Sequence, residues 1–341
     1  MLRLQRVETI TLFFSILIIA GVIALTAPLH VLSSMNIPWA LISVALFSTS
    51  LFAWSSGRVF FLRCACLLPQ KQIREVHDSQ TMSGVSKESP PSNVQAFSLS
   101  MASLSGLLTP MNIGTDILRS LFGLRYLGLP LSLTATASVL TRICKLQVTL
   151  FLMIFAAVLF ARTQKNYLNA LIAAAAGSVL LLIFLYLMTM DSSRRISQRL
   201  KIGDLATPIK VVNGKLNLTK RSFIYLMMTL QFVLEWLALH VCFLALELRI
   251  PLITSFILYI LLYFLSRIPF VPQGLGVVEA GGYAVLKTMK VSEAQIGALL
   301  VVWGFLRIFI PLVLSIAFST ELMAITKKME RIRYRQAGAS F

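Results

Sequence analysis

The chain has 341 residues, of which 57% are apolar and only 13% are charged. Soluble domains usually carry about 25% charged residues, so this composition excludes an ordinary soluble enzyme, a disordered chain and a small disulfide scaffold. A mean hydropathy of +0.82 predicts an all-α polytopic membrane protein. The formal net charge is +18, but neither zinc-finger spacing nor aromatic–basic interleaving accompanies the basic residues. We therefore expect no nucleic-acid partner.

Six apolar runs are long enough to cross a membrane as helices, which takes about 20 residues. In chain order they are Thr9–Leu29, Pro38–Ser56, Leu131–Phe160, Asn166–Met190, Ser222–Glu247 and Ser292–Thr320. The chain thus divides into a first membrane half (1–190, with a polar loop at 58–93), a basic linker (191–219), a second membrane half (220–320) and a basic tail (321–341).

Two further apolar stretches are interrupted by proline and glycine. Asn93–Leu108 would span about 24 Å as a helix, which is less than the hydrocarbon core of about 30 Å. The breaks are Pro110 and Gly114 after the first stretch, and Pro272, Gly274 and Gly276 after the second, Pro251–Val271. Irregular backbone at membrane depth is tolerated only inside protein or beside a watery cavity. We therefore predict two re-entrant helical hairpins, at 94–128 and 251–290, in addition to about six full transmembrane helices.

The two halves carry the same series of residue types. A proline, a glycine, an acid and an arginine follow in the same order as Pro110, Gly114, Asp116 and Arg142, and again as Pro272, Gly276, Glu279 and Arg307. This order predicts an internal duplication of the kind found in transporters. Three of the predicted crossings separate the two hairpins, so the hairpins would enter from opposite faces, as an inverted repeat.

The same count of crossings places both termini, the polar loop and the linker on one face of the membrane. Those segments hold twenty lysines and arginines when Lys220 and Arg221, directly after the linker, are included, whereas the opposite face holds five. Because cytoplasmic loops carry an excess of basic residues, the basic face is predicted to be cytoplasmic.

Charged residues at membrane depth are the candidates for function, because each costs about 2.5–3.5 kcal/mol at the bilayer centre on insertion scales. They are Asp116, Arg119, Arg142, Lys145, Glu235, Arg267, Glu279 and Arg307. Cations outnumber carboxylates, which favours an anionic ligand such as a lipid phosphate, and the arginine fork suits phosphate.

We predict three groups of site residues. The headgroup would be bound by Arg119, Arg142, Arg267 and Arg307. The hairpin backbones would approach it at Gly114, Gly274 and Gly276, where free helix N-termini favour anions. Ion pairs or coupling would involve Asp116, Glu235 and Glu279.

Simpler interpretations of the same residues stay open. Asp116 and Glu279 could merely complement the positive end of a helix, and Arg119 or Arg267 could extend to a membrane surface. Glu235 could be structural. The sequence contains no catalytic, metal or cofactor motif, so we expect neither a cofactor nor an enzyme.

Two segments resemble a known family. RIPFVPQGLGVVEAG (267–281) and LTPMNIGTDILR (108–119), with Arg142, are similar to the membrane region of the lysylphosphatidylglycerol synthase family, including its stand-alone flippase-like members. The resemblance covers nearly the whole chain. It implies a domain that moves or accommodates lipids in the bacterial cytoplasmic membrane, with re-entrant elements forming the cavity. The fused synthases also carry a soluble aminoacyltransferase domain, which we do not expect in this chain.

The leading hypothesis is a lipid transporter or flippase-like protein that binds an anionic headgroup in a midplane cavity. Its partner would be a membrane phospholipid or another anionic lipid, and a homo-oligomer is compatible with the sequence. The alternative is a membrane-embedded transferase that acts on a lipid-linked phosphate or sugar, with Glu235 or Glu279 as general base. A third is a structural subunit that binds a partner through its basic linker and tail.

Overall fold

A computed structural model describes residues 33–66, 91–108, 113–129, 131–160, 218–266 and 276–338. All regular structure in these ranges is helical, which confirms the all-α class. The elements are α1 (Ile37–Cys66), α2 (Asn93–Ala102), a 3₁₀ helix (Ser103–Leu108), α3 (Ile113–Leu127), α4 (Leu131–Phe160), α5 (Leu218–Ala245), α6 (Leu252–Leu265), α7 (Val277–Thr288) and α8 (Glu293–Gly338).

Four of these helices are long and apolar enough to cross a membrane. The qualifying segments are Ile37–Arg63 in α1, Leu133–Phe155 in α4, Leu218–Ala245, which is all of α5, and Glu293–Ile325 in α8. They correspond to four of the six predicted crossings. The other two, Thr9–Leu29 and Asn166–Met190, lie outside the described residues.

Two helices are longer than their apolar runs. Helix α1 continues beyond Ser56 to Cys66, and α8 continues beyond Thr320 to Gly338. Neither extension contains a proline, and the segment after Thr320 is rich in glutamate, lysine, arginine and methionine, which favour helix. Hydropathy marks where a helix can meet lipid, whereas local propensity decides where it ends.

The first predicted hairpin is a pair of closely packed arms. Helix α2 begins with a capping box in which Ser92 and Gln95 satisfy each other's backbone N–H groups. A Cβ atom on Gly106 would lie only 2.1 Å from the carbonyl carbon of Gly114, and one on Gly123 would lie 3.6 Å from Leu99. Later residues of the second arm therefore contact earlier residues of the first arm, so the two arms are antiparallel, as in a helical hairpin. The turn at 109–112 lies outside the described residues.

The second predicted hairpin is built in a similar way from α6 and α7. Gly281 packs against Leu265, since a Cβ atom on the glycine would meet the leucine side chain. Gly276 directly precedes α7 as its N-cap and has φ of +81°, a conformation that favours glycine. Residues 267–275, which contain the turn, lie outside the described part of the chain. Re-entry into a membrane and the inverted repeat stay predictions for both hairpins.

The chain forms two compact units. The first unit takes its residues from Met1–Leu51, Leu104–Thr115 and Val233–Ala317, and the second from Phe52–Ser103, Asp116–Phe232 and Phe318–Phe341. In the first unit, Ser43 donates a hydrogen bond to the Ala238 carbonyl (2.8 Å), and the Phe47 ring meets Trp303 edge-on. In the second, the ring of Phe52 packs on those of Phe97 and Phe318.

Candidate functional site

Three guanidinium groups surround one carboxylate in the second unit. Asp116 lies in the first turn of α3, and its Oδ2 lies 2.5 Å from both Nε and Nη2 of Arg142. Its Oδ1 lies 3.5 Å from Nη1 of Arg119 and 3.9 Å from Nη2 of Arg58. One acidic side chain is therefore shared among arginines from three helices. We call these four residues, with Trp54 and Lys145, the basic cluster.

Helical spacing explains how the cluster forms. Residues three or four apart lie on the same face of a helix. That spacing joins Trp54 to Arg58 on α1 and Asp116 to Arg119 on α3. On α4 it joins Ser138, Arg142 and Lys145. Each helix thus contributes one polar stripe, and the three stripes meet at Asp116.

Arg119 is the most deeply buried member of the cluster, with 2% of its side chain exposed. Its Nη1 donates a hydrogen bond to the Ser138 hydroxyl at 2.9 Å. Its Nε and Nη2 are buried and have no hydrogen-bond partner among the described residues. These two atoms form one edge of the guanidinium fork, the edge that can bind a carboxylate or phosphate through two parallel hydrogen bonds. This burial also argues against the interpretation in which Arg119 extends to a membrane surface.

Trp54 adds an aromatic surface to the cluster. The guanidinium carbon of Arg58 lies 3.4 Å from its ring centroid, and Nζ of Lys145 lies 4.9 Å from the same point. Cations so close to an indole face are stabilised by its quadrupole. The buried Nε1 of Trp54 has no hydrogen-bond partner within the described ranges, so a second type of N–H donor is present in the cluster.

The charges of the cluster are unequal. Asp116 supplies one negative charge, whereas Arg58, Arg119, Arg142 and Lys145 supply four positive ones. Three nearby guanidinium groups favour the ionised form of the Asp116 carboxyl. Because arginine keeps its charge even when buried, these five side chains together attract anions.

The structure therefore brings together Asp116, Arg119 and Arg142, and it adds a residue that the sequence analysis missed. The sequence predicts Arg58 in the polar loop at 58–93, because the apolar run ends at Ser56. The signal that could have found it is the apolar segment Val59–Leu62, which directly follows Arg58 and continues α1. Gly114 packs against Gly106, which gives it a role in hairpin packing.

The remaining predicted residues belong to the first unit or lie outside the described residues. Arg307 is buried on α8, with 8% exposed. Oε2 of Glu279 accepts a hydrogen bond from the Gly276 N–H, as the capping interpretation predicts. Glu235 accepts a hydrogen bond from the Tyr259 hydroxyl at 2.7 Å. Arg267 and Gly274 lie outside the described part of the chain, so a single cavity shared by all four arginines stays a prediction.

The described residues contain no group of three or more His, Cys, Asp or Glu side chains that could hold a metal ion. His240 lies beside Ser255, with Nδ1 3.0 Å from the hydroxyl, which also accepts a hydrogen bond from Nε1 of Trp236. This hydrogen-bonded arrangement gives His240 a structural role between α5 and α6.

The sequence model of one family, described as "Lysylphosphatidylglycerol synthase TM region", matches residues 12–315. The match covers most of the chain, including every member of the basic cluster and both predicted hairpins. No curated protein and no solved structure matches the chain.

Proposed function

This chain belongs to the lysylphosphatidylglycerol synthase TM-region family of membrane proteins, and on that premise we propose that it is a lipid transporter that binds an anionic headgroup at the basic cluster. One observation carries this proposal: three guanidinium groups share the single carboxylate of Asp116, and two of them, Arg58 and Arg142, lie on helices that are long and apolar enough to cross a membrane. Proteins rarely bury charge inside a membrane unless a ligand or a pathway requires it.

The cluster has the chemistry needed to carry a phosphate through hydrocarbon. Moving a headgroup across a bilayer is costly because its charge loses hydration. Guanidinium groups replace that hydration with charge-assisted hydrogen bonds, while the acyl chains stay in lipid. Arg142 is 40% exposed and Arg119 is 2% exposed, so the cluster extends from an accessible side chain to a buried one.

We further propose the topology in which such a protein would work. The hairpins at 94–128 and 251–290 would enter the membrane from opposite faces, as an inverted repeat with both termini in the bacterial cytoplasm. The close packing of the arms at Gly106 and Gly281 supports two compact helical hairpins. The distribution of basic residues supports the orientation.

The partner in this proposal is a membrane phospholipid or another anionic lipid. A homo-oligomer is compatible with it, and nucleic acid has no part in it. In the alternative transferase, each candidate base accepts a hydrogen bond in the described residues: Glu279 from the Gly276 N–H and Glu235 from the Tyr259 hydroxyl. These contacts support structural roles for the two carboxylates.

Transport by vesicles containing the purified full chain tests the proposal. Phosphatidylglycerol with a fluorescent acyl chain is included in both leaflets, and a membrane-impermeant reductant then quenches the label that reaches the outer leaflet. We expect the wild-type chain to expose the inner pool of labelled lipid. Arg142→Ala should slow this exposure about tenfold or more, and a tenfold slowing corresponds to a rise of about 1.4 kcal/mol in the activation free energy of transport.

The matched control is Arg125→Ala. Arg125 lies on α3 like Asp116, but its side chain is exposed and lies near the Tyr126 ring. If Arg142→Ala and Arg125→Ala transport lipid equally fast in folded proteins, the cluster does not bind the headgroup. If the wild-type chain exposes no inner label, it is not a transporter of this lipid class.

A further inference from the structure

We propose that a lipid phosphate binds to the Nε–Nη2 edge of Arg119 and that Asp116 is an internal anion which competes with it for the same cations. This inference rests on the proposed function and assigns separate roles within the site. Arg119 is the direct phosphate ligand, Asp116 is the competitor, and Arg142 is a positioning residue that holds Asp116.

One nitrogen of the Arg119 guanidinium group has a hydrogen-bond partner, and the other two have none among the described residues. Nη1 is directed to the Ser138 hydroxyl, 2.9 Å away, and lies 3.5 Å from Asp116. Nε and Nη2 are buried and have no hydrogen-bond partner among the described residues. An unmet buried donor costs about 1–3 kcal/mol, and more for a charged group. Two parallel hydrogen bonds to phosphate oxygens would meet both donors at once.

The two oxygens of Asp116 are held differently. Oδ2 lies 2.5 Å from two nitrogen atoms of Arg142. Oδ1 is buried, and its distances to Arg119 and Arg58 are 3.5 and 3.9 Å, too long for hydrogen bonds of normal strength. The carboxylate is thus bound firmly on its Arg142 side and only by electrostatic attraction on the other. A phosphate oxygen could therefore take the place of Oδ1 beside Arg119 and Arg58 without breaking a hydrogen bond.

The exposed fraction of the side chains decreases from the outside of the cluster to its interior, which is the order in which an entering headgroup would meet them. The exposed fraction of the side chain is 40% for Arg142, 18% for Asp116, 5% for Arg58 and 2% for Arg119. A headgroup that approaches from outside meets the Arg142–Asp116 pair first. Asp116, held by Arg142, would then move aside for the entering phosphate, which opens the path to Arg119.

If Asp116 competes with phosphate, removing its charge should raise the affinity for phosphate, whereas a purely structural role predicts a lower affinity. Asp116→Asn keeps the shape of the side chain but removes the competing charge, so phosphate should bind more tightly and leave more slowly. If Asp116 merely holds the helices together, the same change weakens folding and binding alike. Arg119→Lys keeps the positive charge but removes the planar fork, so it should weaken binding of a phosphate at this edge.

The experiment measures binding to the purified full chain in detergent by native mass spectrometry and by thermal stabilisation. The probes are dioleoylphosphatidylglycerol, dioleoylglycerol, which has the same acyl chains but no phosphate, and inorganic phosphate. We expect phosphatidylglycerol to bind in preference to dioleoylglycerol. We expect Arg119→Lys to weaken it about tenfold and Asp116→Asn to tighten it about threefold or more while transport slows. The matched control for Asp116→Asn is Glu293→Gln, an exposed carboxylate on α8.

The outcomes separate this inference from the function on which it rests. If phosphatidylglycerol binds and is transported, but Arg119→Lys binds it as tightly as the wild type, the assignment of Arg119 is overturned and the proposed function stands. If Asp116→Asn folds normally but weakens phosphatidylglycerol binding, the competitor role is wrong. If inorganic phosphate stabilises the chain but phosphatidylglycerol and dioleoylglycerol bind equally, the ligand is free phosphate and the lipid assignment is wrong. If no probe binds to the wild-type chain, both proposals fail.

Discussion

Arg142 and Asp116, 26 positions apart in the chain, are in close contact, since Nε and Nη2 of the arginine both lie 2.5 Å from Oδ2 of the aspartate. The pair joins α4 to the first turn of α3. Its arginine is partly exposed, whereas the carboxylate also faces two buried arginines. The pair therefore connects the accessible part of the cluster to its interior.

A double-mutant cycle measures how strongly this pair is coupled. We expect Arg142→Gln and Asp116→Asn to show a coupling energy of about 1 kcal/mol in the free energy of unfolding, because partial exposure of Arg142 screens the charges. Reversible unfolding in mixed detergent micelles gives the four free energies. A coupling energy indistinguishable from zero would mean that the contact contributes nothing to the folded state.

The control for that cycle is the exposed pair of Lys287 and Glu293, whose atoms lie 3.1 Å apart with 60% and 71% of the side chains exposed. Hydrogen bonds to Tyr283 and Glu293 raise the pKa of Lys287. The lysine stays protonated at neutral pH, and any contribution of this pair would be lost as alkaline pH removes that proton or as acid pH protonates Glu293. Because water surrounds both groups, Lys287→Gln and Glu293→Gln should leave the unfolding midpoint unchanged at pH 7.

The first hairpin should not tolerate a methyl group at its closest approach. A Cβ atom on Gly106 would lie 2.1 Å from backbone atoms of Gly114 and Thr115, which cannot move aside as a side chain can. We expect Gly106→Ala to lower the free energy of unfolding by about 3 kcal/mol or more. In Gly304→Ala, the new atom would lie 3.9 Å from Glu279, so this control should unfold like the wild type. Equal stability of the two variants would show that the arms do not pack as described.

The hydrogen bond between Tyr259 and Glu235 should stabilise the first unit. Tyr259 is 1% exposed on α6, and its hydroxyl donates to the carboxylate on α5 at 2.7 Å. We expect Tyr259→Phe to lower the free energy of unfolding by about 1 kcal/mol. Glu235→Gln should have a smaller effect, since the amide oxygen can still accept the bond. If Glu235→Gln also stops transport while it stays folded, the carboxylate has a role in coupling rather than in structure alone.

The proposed inverted topology can be tested by labelling single cysteines with a membrane-impermeant thiol reagent. Val94→Cys and Arg125→Cys flank the first hairpin, and Glu247→Cys and Lys290→Cys flank the second, all at exposed positions. In a background without the four native cysteines, the first two should react only from the cytoplasmic side and the last two only from the opposite side. Reaction of all four from the same side would contradict the inverted arrangement.

Sequence reasoning identified the helices and part of the cluster because both depend on local patterns. Apolar runs mark α1, α4, α5 and α8 at their approximate positions, and the series of proline, glycine, acid and arginine singled out Asp116 and Arg142. Buried charge at membrane depth is rare enough to be noticed in a single sequence.

The rest of the cluster depends on how helices pack, which a single sequence does not display. Arg58 follows an apolar run and therefore resembles the start of a loop, although α1 carries it toward Asp116. The tryptophan beside it, Trp54, is indistinguishable in sequence from an ordinary lipid-facing aromatic residue. The hydrogen bond from the Gly276 N–H to the Glu279 carboxylate likewise depends on backbone geometry, and it supports the capping role of Glu279.

An experimental density map of the full chain in nanodiscs that contain phosphatidylglycerol would show whether the basic cluster binds a lipid phosphate. We expect headgroup density within hydrogen-bond distance of Nε and Nη2 of Arg119, with Asp116 displaced from its position between Arg119 and Arg58. A map in which Asp116 keeps its present contacts and protein side chains alone surround the Arg119 fork would contradict it.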